Sequence, residues 1–283
     1  MPASAAPGTD PVALARHAED LGFDFISTAD HPCGEEPTFE TWTMLSWIAA
    51  RTTRIRVATR VLGLPYRNPA MVAKMAETLD RLSGGRLILG LGAGYSDHEF
   101  RAFGLGVPTA GEKVDGLAEA LAIIRGLWTE PAFSFRGRRY HTYAADLTPK
   151  PGHAIPIWLG TFGPRALAVT GRLADGWIPS LGHIPDGQLA TMRDRVITAA
   201  RQAGRDPADL TCALNVDVHV AEHVAATPSM LAGSPAEVAS QLAGLVEMGF
   251  TAFNFMPVPR TDPRQVERLA REVLPLVSGH ALR

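Results

Sequence analysis

Cysteine is scarce. Cys33 and Cys212 are the only two in 283 residues. Thiols this far apart do not make a disulfide framework, and neither sits in a C-x-x-C pair. A reducing, cytoplasmic setting is therefore expected. Charge is also thin, at 20% of residues. Lys plus Arg is 27 and Asp plus Glu is 29, for a formal charge of −2. That balance carries no basic footprint, so no nucleic-acid partner is expected. With so few charges, part of the surface is expected to be alanine, glycine or a partner subunit. No apolar run approaches the roughly 18–20 residues of a membrane span, so no membrane partner is expected either. The opening MPASA has neither a basic stretch nor an apolar core, and no secretory leader is expected. Metal patterns are missing as well. Nine histidines are present, but none forms H-x-H after a strand or H-E-x-x-H, so no metal is expected. There is no G-x-S-x-G and no Cys–His nucleophile signature.

What is present is a core. Hydrophobic residues make up 46% of the chain, which excludes general disorder. Strand-length apolar runs alternate with helix-period segments. FDFIST (23–28), IRVATRVL (55–62), RLILGLG (86–92), IPIWLG (155–160), GWIPSL (176–181), CALNVDVHV (212–220) and TAFNFMP (251–257) read as strands. FSFRGRRYH (133–141) reads as a hairpin turning at Gly137. Helical patterns separate the strands, which argues for parallel βα units. Near-continuous hydrophobicity argues that both sheet faces are covered. A joint repeats at Asp20-Leu21-Gly22-Phe23 and Glu247-Met248-Gly249-Phe250. In each, a helix ends, glycine takes a left-handed cap and an aromatic opens a strand. The expected fold is an α/β barrel of the TIM type, in one domain over residues 1–283. Only seven strands are counted where a closed barrel needs eight. Either the barrel is open at that seam or its first strand lies upstream; the second is the expectation.

In such a barrel, function sits where strands end. TADHP (28–32) puts Asp30 and His31 after the first strand. Imidazole exchanges protons near neutral pH, and a carboxylate neighbour tunes it. Asp30 as a turn cap and His31 as a surface residue is equally open. Arg60 interrupts a buried-looking run and needs a partner, an ion pair on the rim being favoured. Gly90, Gly92 and Gly94 end a strand, but Tyr95 and Asp97 break any G-x-G-x-x-G pattern, so the dinucleotide reading is weak. Asp97, His98 and Glu99 read as the solvated first turn of a helix. In IPIWLGTFGPRAL (155–167), Pro164 suits a first helical position, and its helix start is either a phosphate site or an ordinary turn. Phe39, Trp42, Phe103, Tyr140 and Trp177 either line a pocket or pack in core and rim.

Together, TADHP, the block at residues 52–95 with TLDRLSGGRLILGLGAGY, the hairpin, and IPIWLGTFGPRALAVTGRLADGWIPS (155–180) resemble the luciferase-like monooxygenase family of flavin- and deazaflavin-dependent oxidoreductases. The resemblance spans about residues 10–275. It implies a TIM barrel holding a flavin or deazaflavin ring at the end of the third barrel strand, where a non-prolyl cis peptide often occurs, here Arg60-Val61. It places His31 beside the ring, with Asp30 as orienter or turn cap. Gly92 and Gly94 border the ring, and Gly160, Thr161, Phe162 and Gly163 hold the coenzyme phosphate or tail. The SGGRL block looks like the branch that uses coenzyme F420, which transfers hydride to or from a small organic substrate. An FMN-dependent monooxygenase and a non-catalytic flavin-binding barrel are the alternatives. Sugar-phosphate dehydrogenases of that branch carry glutamate where this chain has Tyr95, so glucose-6-phosphate oxidation is not expected. A homodimer is.

Overall fold

The computed structural model describes residues 4–34, 36–259 and 262–277. Helix and strand alternate along the chain. α1 (Pro11–Asp20) leads to β1 (Phe25–Thr28), and α2 (Thr41–Ala49) leads to β2 (Arg56–Thr59) and its continuation β3 (Leu62–Gly63). α3 (Pro69–Ser83) leads to β4 (Leu87–Gly92). A short α4 (Asp97–Ala102) and a long α5 (Ala110–Thr129) precede the hairpin β5 (Phe133–Arg136) and β6 (His141–Ala145). Then come β7 (Ile157–Leu159), α6 (Pro164–Leu173), β8 (Gly176–Trp177), α7 (Leu189–Gln202), β9 (Thr211–Val220), β10 (Met230–Gly233), α8 (Pro235–Glu247), β11 (Ala252–Pro257) and α9 (Arg264–Arg268).

The two repeated joints fold alike. After α1, Gly22 sits at φ +87° and the Phe23 N–H reaches the Ala18 carbonyl at 3.1 Å. After α8, Gly249 sits at φ +91° and the Phe250 N–H reaches the Leu245 carbonyl at 3.1 Å. Left-handed glycine closes each helix and turns the chain into the next strand.

The strands pair in parallel in the order β1, β2, β4, β7, β8, β9, with β3 also on β4 and both β10 and β11 on β9. This is the wall of a TIM-type α/β barrel. Alternate residues point inward. Ala58, Ile88, Trp158, Ala213 and Ala252 form one interior cluster, and Phe25 meets Trp158 edge-on at 5.7 Å. A buried polar chain also crosses strands: Ser27 Oγ donates to Asn254 Oδ1 at 2.7 Å, Asn254 Nδ2 to Asn215 Oδ1 at 3.0 Å, and Asn215 Nδ2 to Ser180 Oγ at 3.3 Å. Two larger apolar clusters lie between sheet and helices, one around Leu45, Val57 and Leu121, the other around Val196, Val218 and Leu242.

Among the described residues the ladder ends at β1 on one side and β11 on the other. An apolar cavity of about 270 Å³ lies at that seam, lined by Phe23, Phe25, Phe253, Phe255, Val266 and Leu269. The Ser27–Asn254 hydrogen bond links the two edges.

Two strands differ from expectation. The run at 55–62 divides into β2 and β3, with the cis Arg60-Val61 peptide between them. The run at 176–181 keeps two strand residues, Gly176 and Trp177, with a separate bridge from Ser180 to Asn215 beyond Pro179. β10 went unrecognised because MLAG is too short to show a period.

Candidate functional site

The carboxyl ends of β1, β3, β4 and β7 converge. Adjacent residues in extended chain point to opposite sides, and this separates Asp30 from His31. Asp30 turns inward and is buried. It accepts the Gly63 N–H at 2.8 Å and the Arg67 guanidinium through both oxygens, at 2.7 and 3.1 Å. Arg67 also reaches Glu40 at 2.6 Å. Glu40 caps α2 by accepting from the N–H groups of Trp42 and Thr43. Asp30 is thus a clamp between the β1 and β3 ends, close to the expected turn cap. It is not the orienter of His31.

That partner is Glu99. His31 Nδ1 lies 2.8 Å from Glu99 Oε1, and the other Glu99 oxygen accepts the Tyr66 hydroxyl. Residues 97–99 do form the first turn of a helix, solvated at Asp97 and His98 as expected, and the correction concerns Glu99 alone. α4 is amphipathic: Ser96 caps it by accepting from the Glu99 N–H, Asp97 and His98 face solvent, and Glu99 and Phe100 are buried. Asp97 instead binds Lys113 at 2.8 Å. Burial, then the hydrogen bond to Glu99 and its charge, push the Tyr66 hydroxyl well above its ordinary value, so it stays a donor. The imidazole is half exposed at 53% of its side chain, against 7% for Glu99. With Nδ1 facing the carboxylate, Nε2 is the nitrogen turned away from it. Sequence reasoning missed Glu99 and Tyr66. The available signal was Glu99 next to an apolar Phe100 on a short helix.

The Arg60-Val61 peptide is cis, as the resemblance implied. Val61 forms a ridge between two glycines. A Cβ at Gly92 would meet Val61 Cγ2 at 2.5 Å, and one at Gly160 would meet Val61 Cγ1 at 3.1 Å. The two glycines make room for Val61. Gly94 has a different role. Its φ is +88°, and a Cβ there would meet the Phe100 ring at 2.3 Å. Arg60 is half-buried and lines the seam cavity.

At the end of β7, Gly163 precedes α6, Pro164 is its first residue, and no side chain caps the helix start. Helix N-termini of this kind bind phosphate. Thr161 faces elsewhere: its hydroxyl pairs with that of Thr170 at 2.7 Å, and its carbonyl accepts from Trp177 Nε1 at 2.9 Å. Its side chain braces α6. Phe162 meets the His183 ring edge-on at 5.9 Å. Arg165 is bound to Asp115 at 2.7 Å. Of the aromatic pocket candidates, Trp177 is core, packed on Phe250, and Tyr140 packs against the main apolar cluster. Phe39 and Phe103 are exposed.

Among the described residues, no group of three His, Cys, Asp or Glu side chains is placed to hold a metal ion. No described helix is long and apolar enough to cross a membrane.

A model of the luciferase-like monooxygenase family matches residues 2–228. An F420-dependent glucose-6-phosphate dehydrogenase of Microbacterium testaceum is 31% identical over 90% of this chain and 81% of its own length. The enzyme of the same name from Kineococcus radiotolerans is 29% identical, over 93% and 91%. Among solved structures, an F420-dependent secondary alcohol dehydrogenase in complex with an F420-acetone adduct superposes with a TM-score of 0.82 at 20% identity, covering 98% of both chains. That likeness carries the fold, and the match along most of the sequence carries the lineage: the chain belongs to the luciferase-like monooxygenase family.

Proposed function

We propose that the protein is an F420-dependent oxidoreductase that passes hydride between the coenzyme and a small organic substrate. The observation that carries this is the His31–Glu99 pair together with the Gly92–Val61–Gly160 ridge, both built at strand carboxyl ends. The names of the relatives support the coenzyme. The residues present fit a deazaflavin. The ridge offers a flat seat for the ring, and Gly160, Phe162 and Gly163 lead to the uncapped start of α6, which suits a phosphate. Gly94 shapes the same rim through Phe100. Arg60 contributes through the backbone that sets Val61.

When bound, the reduced coenzyme supplies a hydride. The protein supplies position and a proton. Glu99 fixes the His31 ring through Nδ1. Nε2 then gives a proton to a substrate carbonyl oxygen, or takes one from an alcohol in the reverse direction. Asp30 holds the β1 and β3 ends together through Gly63 and Arg67, and so sets where His31 starts.

The proposal includes a single domain over residues 1–283, supported by one sheet that draws strands from both halves of the chain. It includes a cytoplasmic setting, supported by two free thiols. It also includes a homodimer, supported by the exposed apolar face of α2 and α3.

The test is a titration of the purified protein with F420 and with FMN, followed by tryptophan quenching. Saturable F420 binding with weak FMN binding is expected. His31→Ala should keep that affinity and lose about 10²–10⁴-fold in turnover. A preference for FMN would replace this reading with oxygen-dependent chemistry, and binding of neither would overturn it.

A further inference from the structure

Three rings from three strand-end loops meet at the mouth of the barrel. Tyr95 follows β4, Phe162 follows β7, and His183 lies in the turn after β8. Tyr95 and His183 stack at 5.7 Å with their planes 5° apart, and Phe162 closes on His183 from the edge. Tyr95 is nonetheless 78% exposed. An aromatic face held still by a stacked neighbour and open to the mouth is a surface for an apolar or ring-bearing ligand.

Many of the chain's cations are committed to partners of their own, among them Arg264 and Arg268 after β11, which hold Asp262 and Glu272. The chain has three lysines, Lys74, Lys113 and Lys150. Lys113 binds Asp97 at 2.8 Å. Lys74 binds Glu77 and the Thr148 carbonyl, and Lys150 binds Asp146 with the carbonyls of Leu127 and Glu130. Arg67 is held by Asp30 and Glu40, and Arg165 by Asp115. Arg101 lies close enough to Asp97 to help hold its carboxyl below the usual range, behind the larger effect of the Lys113 hydrogen bond. A bound phosphate dianion needs several charge-assisted donors. Around the site Asp30 and Glu40 hold Arg67, Asp97 holds Lys113, and Glu99 holds His31 and Tyr66. Arg260 lies outside the described residues.

We infer that the substrate is an uncharged carbonyl compound, or the matching alcohol, whose apolar or ring-bearing body lies on Tyr95, and that phosphorylated sugars are not substrates. The inference rests on the coenzyme reading of the same site. In the reducing direction, the carbonyl carbon gains hydride from reduced F420, its oxygen gains the His31 proton, the C=O π bond becomes C–OH, and the coenzyme is left oxidised.

The test starts with F420 binding, which decides the coenzyme reading separately. On the F420-loaded enzyme, turnover is then compared for cyclohexanone, acetophenone, acetone, cyclohexanol and glucose 6-phosphate. Binding of cyclohexanone to the complex with oxidised F420 is measured by calorimetry, independent of turnover. The ring ketones should lead acetone, and glucose 6-phosphate should give no rate. Tyr95→Ala should weaken cyclohexanone binding and kcat/KM by about tenfold, with F420 affinity within about twofold and Tyr95→Phe close to wild type. Glucose 6-phosphate outpacing the neutral alcohol would overturn the inference and leave the coenzyme reading standing. So would ring-ketone binding that ignores Tyr95→Ala, or F420 binding with no neutral substrate bound or turned over.

Discussion

Glu99 Oε1 lies 2.8 Å from His31 Nδ1, and the same carboxylate holds the Tyr66 hydroxyl with its other oxygen. One buried acid therefore sets the ring that moves the proton. An amide at this position keeps one acceptor and cannot serve both donors. Glu99→Gln should lower kcat by about 10–100-fold, because a reacting group displaced by a fraction of an ångström loses rate on that scale. KM and F420 affinity should change little. The pH profile of kcat should shift, which a purely structural role would not produce. Tyr66→Phe should give a smaller change of the same kind, since it frees only one oxygen of Glu99. Equal losses in F420 affinity and kcat would assign Glu99 to folding rather than to His31.

Val61 and Gly92 make a second test. A methyl group on Gly92 would lie 2.5 Å from Val61 Cγ2, inside any real contact distance. Gly92→Ala should destabilise the protein by about 1–3 kcal/mol, the usual cost of overpacking a filled site. F420 affinity should fall with it, because the displaced valine raises the seat of the ring. Val61→Ala removes the colliding methyl groups, so the double variant Gly92→Ala/Val61→Ala should recover most of the stability. Thermal melts and F420 titrations of the three variants decide this. Failure of the second substitution to rescue would mean that Gly92 is needed for another reason.

Much of this architecture was legible because it depends on local pattern. The strand runs, the helix starts at Pro69 and Pro164, and the glycine joints at Gly22 and Gly249 are set within a few residues of chain. His31 was legible for the same reason, as a polar residue leaving an apolar run. Its partner was not. Glu99 is 68 residues away, and its burial follows from how α4 leans on Tyr66 and Phe100, which no local period encodes. Asp30 was assigned to its neighbour in sequence, whereas extended chain sends it to Arg67, 37 residues on. The seam was read as a missing strand from a count alone. The structure adds that its walls are apolar and that Ser27 and Asn254 link its two edges.

The face formed by α2 and α3 bears on assembly. Trp47 is 54% exposed and Leu82 81%, with Met71 also open to solvent. Trp42, Met75, Leu79 and Leu82 line a cavity of about 290 Å³ between the two helices. The Arg51 guanidinium sits over the Trp47 ring at 4.5 Å. Tryptophan, methionine and arginine are the residues enriched at interfaces between copies. Light scattering on the purified protein should give twice the 30.3 kDa of one chain. The double variant Trp47→Glu/Leu82→Glu should run as a monomer with an unchanged circular dichroism spectrum. A wild-type protein that stays at the mass of one chain at micromolar concentration would remove the dimer.

Glu19 supplies the pH prediction. Its carboxylate, at the end of α1, accepts the backbone N–H groups of Thr53, Arg54 and Ile55, and so fixes the chain just before β2. Burial acts first and raises its pKa, but the three backbone hydrogen bonds and the Arg54 charge outweigh it, so the native value lies below the ordinary glutamate value of 4.5. A lowered native pKa means that the unfolded chain binds the proton more readily. The stabilisation is therefore complete above pH 4.5 and is lost as the pH falls below it towards the native value. Glu19→Gln keeps one acceptor oxygen but loses the charge. It should cost about 1–2 kcal/mol at pH 7, within the range for hydrogen bonds to a charged group. The gap between wild type and variant should then narrow as the pH is lowered from 5 to about 3. Urea melts across that range read both quantities, and a gap that stays constant with pH would show that the ionised form of Glu19 is not what holds the start of β2.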